Sequence, residues 1–440
     1  MNTIPDGVRT SYGALPDGWR LERMKFSCVV RNSNVDKVIA EGEEAVRLCN
    51  YTDVYYNDRI TPDLEFKEGS ATPAEINRFQ LKRGQVIVTK DSESWEDIGI
   101  PALVTEDMPD VLCGYHLSVL EPSDTHLDGG YLAWLCRSAP LNNQFKLGAN
   151  GVTRFGLGQY PMKNAYIALP PPETQRSIAA FLDSKTAQID ALVEKKRALL
   201  DRLAEKRQAL ITRAVTKGLD PSCPLKDSGV DWLGEIPVHW EIKRLRHLAK
   251  GPLKYGVNAP AEFDQSDWPR FVRITDIDDL GQLRPETFRS LPPEVADGYL
   301  LEEQDILLAR SGATVGKSFI YQASWGRACF AGYLIRARLT EEVSPRFVYL
   351  MMNSAAYWGW VGSSFIQSTI QNLSAEKYAN LWIAIPPTKA EQDRIASSVE
   401  EACAGIDMER DLVSRSLELL TEYRSALITS AVTGRDMGFQ

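Results

Sequence analysis

Apolar residues recur at alternating steps of four and three along two stretches of the chain. In the first they are Ile178, Leu182, Ile189, Leu192, Leu199, Leu203 and Leu210. In the second they are Ile395, Val399, Ile406, Val413, Leu420, Tyr423 and Leu427. This spacing predicts two long helices, each with a heptad seam. Pro170 to Pro172 and Pro386-Pro387 mark where the helices begin, because proline cannot sit inside one. The first helix is predicted over 173–217 and meets no Gly or Pro until Gly218, a natural left-handed stop. The second is predicted over 388–433, interrupted only by Gly405. Lys185, Lys196 and Lys206 break the first seam, so it is not an ideal coiled coil on its own.

Elsewhere the apolar runs are short and bounded by turn residues. Val86–Thr89, His116–Leu120, Tyr166–Leu169, Asp305–Ala309 and Leu381–Ile385 read as strands. Tyr131–Arg137 and Pro345–Asn353 read as short helices. Residues 218–236 are rich in Gly, Pro, Ser and Asp and read as a linker.

The chain also repeats itself. Residues 174–216 match residues 391–433 without a gap at an offset of 217. Gln175 falls on Gln392, Ile189-Asp190 on Ile406-Asp407, and Ala209-Leu210-Ile211-Thr212 on Ala426-Leu427-Ile428-Thr429. Upstream, Gly114-Tyr115 matches Gly332-Tyr333, and Val86–Lys90 matches Ile306–Arg310. Each half opens alike, with Pro16-Asp17-Gly18-Trp19 and Pro237-Val238-His239-Trp240. The predicted organisation is therefore an α+β protein with a pseudo-two-fold repeat. Two mixed α/β domains, 1–172 and 237–387, alternate with the helices 173–217 and 388–433, and 218–236 joins the halves. From 173 to 217 there are ten Lys/Arg against six Asp/Glu, and from 389 to 435 six against nine. Matching seams of opposite charge predict an antiparallel coiled-coil spacer between the two domains.

Composition removes several function classes. The seven cysteines are scattered and form no C-x-x-C pair, which argues against a disulfide framework and against a zinc ribbon. The four histidines show no metal-ligand spacing, so no metal is expected. No apolar run approaches the roughly 20 residues of a membrane span, and Met1 to Thr10 lack a signal-peptide core. A cytoplasmic protein is expected. The net charge of −9 disfavours nucleic acid unless basic residues are gathered locally.

Three catalytic motifs come close and fail. Gly312-Ala313-Thr314-Val315-Gly316-Lys317-Ser318 has three residues between its glycines where a phosphate loop needs four, and Ser318–Tyr321 reads as a strand, not a helix. Asp63 and Glu65 of Pro62–Lys67 are too close to form a nuclease carboxylate pair around Mg²⁺. No Pro-Pro follows Asn or Asp, as an adenine methyltransferase requires, and the glycines of Phe155–Gly158 have the wrong spacing for a cofactor turn. Polar residues at strand ends are better placed to touch DNA. Lys90 and Ser92 follow the first matched strand, and Arg310, Ser311, Thr314 and Lys317 follow the second. Gln367, Gln371 and Asn372 offer amides that can read adenine, and Thr153-Arg154 hold the corresponding place in the first half.

The paired Pro-x-x-Trp openings, the Asp305–Lys317 segment, the Pro-Pro helix starts and the two Ala-Leu-Ile-Thr-x-Ala-Val-Thr endings occur together over nearly the full length. In that combination the chain resembles the specificity subunit of Type I restriction–modification systems. The resemblance implies a non-catalytic protein in which each domain recognises half of a split, asymmetric double-stranded DNA target. It implies docking of two methyltransferase subunits on the helices and, through them, two restriction and motor subunits. S-adenosylmethionine, ATP and Mg²⁺ would then belong to those partners, with no cofactor and no membrane contact here. The alternatives are a coiled-coil scaffold that binds no DNA and a self-contained methyltransferase or nuclease.

Overall fold

The two long helices form where the periodicity places them, over Pro172–Lys217 and Lys389–Thr433. Pro172 sits in the first turn, where its missing N–H costs nothing, and Gly218 closes the first helix at φ 73°. The computed structural model describes residues 4–123, 125–278, 281–365 and 372–435. These fold as two compact units. The first takes the chain up to Lys196 and from Arg415 onward; the second is Arg197–Ser414. Each unit thus owns the beginning of one long helix and the end of the other.

In the first unit a five-stranded sheet runs in the order Cys28–Asn32, Leu117–Pro122, Val86–Thr89, Pro101–Val104, Arg59–Ile60. Every residue of Val86–Thr89 is buried, because both faces of this strand are covered. Val86 and Val88 face a core with the helix Gly129–Arg137, Ile178 and Leu182 of the first long helix, and Ile428, Ala431 and Val432 of the second. Ile87 faces the other way, into a core shared with the four-stranded sheet that contains Glu44–Cys49 and Met108–Cys113.

The second unit repeats the scheme on a smaller sheet, in the order Lys254–Tyr255, Leu334–Ala337, Ile306–Ala309, Ser318–Ile320. Ile306 and Leu308 face a core with Ile211, Ala214 and Val215 from the first long helix and Ile395, Ala396 and Val399 from the second. Leu307 and Ala309 face the opposite core. The linker expected over 218–236 is instead structured. Leu225–Asp227 pairs with Glu235–Pro237, and Leu233 and Ile236 are buried in the main core. Gly229 and Gly234, both at positive φ, make the turn that a loop-like composition concealed.

The sequence repeats have a structural cause. Gln175 is fully buried, donating to the carbonyls of His126 and Pro170 and accepting from the Asp128 amide at 2.8 Å. Gln392 does the same, donating to Pro386 O and accepting from the Ser344 amide at 2.8 Å. At the far ends of the helices, Thr429 Oγ1 accepts from the Ala139 amide and Thr212 Oγ1 from the Ala355 amide, at 3.3 and 2.8 Å. These amides open the helices Ala139–Gly148 and Ala355–Phe365, where N–H groups lack intrahelical partners. Thr212→Val keeps the shape and removes the acceptor. It is expected to cost about 1 kcal/mol and to speed hydrogen exchange at the Ala355 amide. Unchanged exchange at that amide would remove the cap from the account.

Cross-helix ion pairs obey the same repeat. In the first unit Arg424 Nε lies 2.9 Å from Asp190 Oδ1, and in the second Arg207 Nε lies 3.3 Å from Asp407 Oδ1. Within each unit the two helix segments therefore run antiparallel. The seam itself is discontinuous. Ile178, Leu182, Ile189, Leu203, Ile395, Val399 and Ile406 are buried, and Leu210, Val413, Leu420 and Leu427 are half-buried. Leu192, Leu199 and Tyr423, which the periodicity assigns to the seam, are 41, 42 and 56% exposed. Where a helix end meets its unit's core, the buried face shifts by one residue, from Leu210 to Ile211 and from Leu427 to Ile428. Among the described residues, the hydrophobic cores take in no helix residue over 183–209 or 404–426.

Candidate nucleic-acid interface

The strand Val86–Thr89 delivers Lys90 to the edge of the first unit. Lys90 N donates to His116 O at 3.0 Å, and Lys90 O accepts from Leu157 N at 2.7 Å. Its ammonium lies 4.7 Å from the Tyr115 ring centroid and 3.5 Å from Asp91 Oδ2. Asp91 Oδ2 lies 3.0 Å from His116 Nδ1, and Arg154 Nη2 lies 3.1 Å from the same nitrogen. An acid, an imidazole and a guanidinium thus form one chain at the mouth of an open cleft of about 600 Å³. Tyr51, Tyr55 and Tyr56 line the cleft, with the first two rings stacked at 5.5 Å. Burial pushes the Tyr51 hydroxyl up, and the Asp97 carboxylate pushes that of Tyr55 up, so both stay neutral donors. Flat aromatic faces beside a guanidinium suit stacked bases and phosphates.

The second unit builds the same frame with other side chains. Arg310 N donates to Tyr333 O at 3.1 Å, and Arg310 O accepts from Leu373 N at 2.8 Å. The Arg310 guanidinium lies 4.8 Å from the Tyr255 ring centroid. Ser311 bridges Asn372 through the backbone. Arg310 Nε and Asn372 Oδ1 are buried without a hydrogen-bond partner, so the frame carries unspent polar capacity. Tyr333 is 65% exposed beside it.

These ladders correct one equivalence drawn from the letters. The residue standing where Tyr333 stands is His116, not Tyr115; Gly156, which pairs with Asp91, stands where Asn372 does, two residues after Arg154.

Residues 50–202 match the family described as the Type I restriction modification DNA specificity domain. Over 97% of this chain and 96% of the relative, the sequence is 24% identical to the MjaX type I restriction enzyme specificity subunit of Methanocaldococcus jannaschii. Over 65% of this chain and 61% of the relative, it is 25% identical to the EcoBI specificity subunit of Escherichia coli. The chain is thus similar in sequence, over nearly its full length, to a Type I restriction–modification specificity subunit. The HsdS subunit from Thermoanaerobacter tengcongensis shares the fold at a TM-score of 0.58 and 17% identity, covering 96% of this chain and 98% of that one. A chain solved in work on complex assembly and conformational transition of the type I R-M system shares it at 0.75 and 17%, covering 96% and 99%.

The fold brings Lys90 together with Arg154, and Arg310 with Ser311 and Asn372. Thr153 is exposed on the loop before Phe155. Ser92 is buried, its hydroxyl accepting from the Ser94 amide at 3.1 Å and lying 3.4 Å from the Tyr51 hydroxyl, so it braces the cleft instead of facing outward. Thr314 and Lys317 close the turn behind Arg310, where Lys317 N donates to Thr314 O at 3.0 Å. Gln367 and Gln371 lie outside the described residues. The tyrosines of the cleft escaped the sequence reading, although Tyr51 and Tyr55 stand four apart and so share one helix face. Among the described residues no cluster of His, Cys, Asp and Glu could hold a metal, and no helix is long and apolar enough to cross a membrane.

Proposed function

We propose that this chain is the non-catalytic DNA-reading subunit of a Type I restriction–modification complex, with one recognition site in each unit. One observation carries the reading. A single backbone frame occurs twice, with Lys90, Asp91, His116 and Gly156 in one unit and Arg310, Ser311, Tyr333 and Asn372 in the other. A constant frame with different side chains is what two different half-sites of a bipartite, asymmetric double-stranded target require. The stretches of the long helices that no core covers are the docking surface for two methyltransferase subunits, and two restriction and motor subunits join through them. S-adenosylmethionine, ATP and Mg²⁺ act on those partners, and the complex works in the cytoplasm.

The test exchanges residues 15–170 for those of a relative and leaves both long helices in place. Methylation is then mapped across the genome of a host that supplies the methyltransferase. One half of the methylated sequence is expected to change while the other half persists. A change in both halves, or in neither, would sink the modular reading.

A further inference from the structure

The second unit carries a cysteine, a histidine and a glutamate in line, away from the strand-end frame. Cys223 Sγ lies 3.8 Å from His239 Nδ1, and His239 Nε2 lies 3.0 Å from Glu391 Oε1. Glu391 is itself held, since its Oε1 accepts the Trp240 indole N–H at 3.1 Å. A carboxylate that takes Nε2–H fixes the imidazole tautomer whose Nδ1 lone pair faces the thiol. The thiol and the carboxylate sit on opposite ring nitrogens, so the three groups cannot converge on one ion. The geometry is that of a proton relay, the arrangement that activates a weak nucleophile.

Two further observations set this group apart. Cys28, Cys49, Cys113, Cys136, Cys329 and Cys403 are buried, whereas Cys223 is partly exposed and His239 is 45% exposed. Burial pushes the six other thiols up, which leaves them inert near neutral pH. The first repeat turns the same corner without the relay. Trp19 N donates to Pro16 O as Trp240 N donates to Pro237 O, yet Gly18 and Thr174 stand where His239 and Glu391 stand. The fold of the repeat therefore does not require these side chains.

We propose that Cys223 is a reversible thiol-modification site for low-molecular-weight disulfides, with His239 as the base and Glu391 as the residue that positions it. In the exchange, Cys223 gives its proton to His239 Nδ1 and its sulfur attacks one sulfur of the disulfide. The new S–S bond forms as the old one breaks, and the departing thiolate takes the proton from His239. One thiol is oxidised to the mixed disulfide and one is released, so electrons and protons balance. Excess free thiol reverses the step. The added group lies beside the first turn of the second long helix, where Glu391 sits.

The test treats the full chain with glutathione disulfide and follows each cysteine by peptide mass spectrometry over time. Cys223 is expected to be modified first, by at least about tenfold over any other cysteine. His239→Asn is expected to slow it by about tenfold or more, and Glu391→Gln by a smaller factor. Melting curves check that each variant folds, with His239→Gln as the substitute should His239→Asn melt early. Earlier modification of another cysteine, or equal rates with and without the imidazole, overturns the proposal. An unchanged rate in Glu391→Gln removes the glutamate from it.

Discussion

Truncating Trp240 to alanine is expected to destabilise the second unit by about 3–5 kcal/mol. The indole is fully buried and lies edge-on to Phe347 at 5.8 Å between ring centroids. It shares its core with Ile211, Ala214 and Val215 from the end of the first long helix and with Ile395 and Val399 from the start of the second. Its Cζ2 lies 3.5 Å from where a Cβ on Gly218 would stand, so the ring also closes the helix end. Alanine would leave a cavity at the junction of three chain segments and take one of two partners from Glu391 Oε1, leaving His239. Trp240→Phe keeps much of the apolar volume and should cost only about 1–2 kcal/mol. Hydrogen exchange across Ile306–Ala309 and Pro345–Met351 is the readout. Full protection there in the alanine variant would show that the ring is dispensable. Trp19, its counterpart, is only half-buried, so Trp19→Ala should cost less.

Gln175→Leu is expected to destabilise the first unit by about 3 kcal/mol, more than Gln392→Leu destabilises the second. Leucine fits the space but offers nothing to the Asp128 amide or to the carbonyls of His126 and Pro170. Each buried group left without a partner costs about 1–3 kcal/mol. Asp128 is also the cap of the helix Gly129–Arg137, where its side chain accepts from the Tyr131 amide at 2.9 Å. Losing the glutamine therefore loosens the start of that helix as well. Gln392→Leu orphans one amide and one carbonyl, so its cost should be nearer 2 kcal/mol. Urea titration of both variants ranks them. A loss below about 0.5 kcal/mol for Gln175→Leu, the size of an ordinary surface change, would rule out the buried staple.

Much of this fold is legible in the sequence, for physical reasons that differ from element to element. Val86–Thr89 and Tyr166–Leu169 are covered on both faces, so they read as plain apolar runs and their bounds agree with expectation. The long helices announce themselves through proline, glycine and the heptad step. The hairpin through Leu225 and Ile236 does not, because its few apolar anchors stand among turn-forming residues. Nor does the seam step show that the helix ends bury Ile211 and Ile428, since the burying surface there is a domain core and not the partner helix. The interface was legible as far as the strands that deliver Lys90 and Arg310. Which loop residues gather around them was not, because letter identity aligned Tyr115 with Tyr333 while the hydrogen-bond ladder aligns His116.

The first unit is assembled from two stretches of chain far apart in sequence, and this reverses the usual order of maturation during synthesis. Domains ordinarily fold as they leave the ribosome, amino-terminal part first. Here Ile428, Ala431 and Val432, which complete the core around Val86 and Tyr131, are made only after the whole of the second unit. The second unit is a single continuous stretch, Arg197–Ser414, and is complete before them. The half that is translated first therefore waits, with part of its core uncovered, until the second unit has been made. A stop within the part of the second long helix that follows Ser414 would spare the younger half of the chain and leave the older half unfinished.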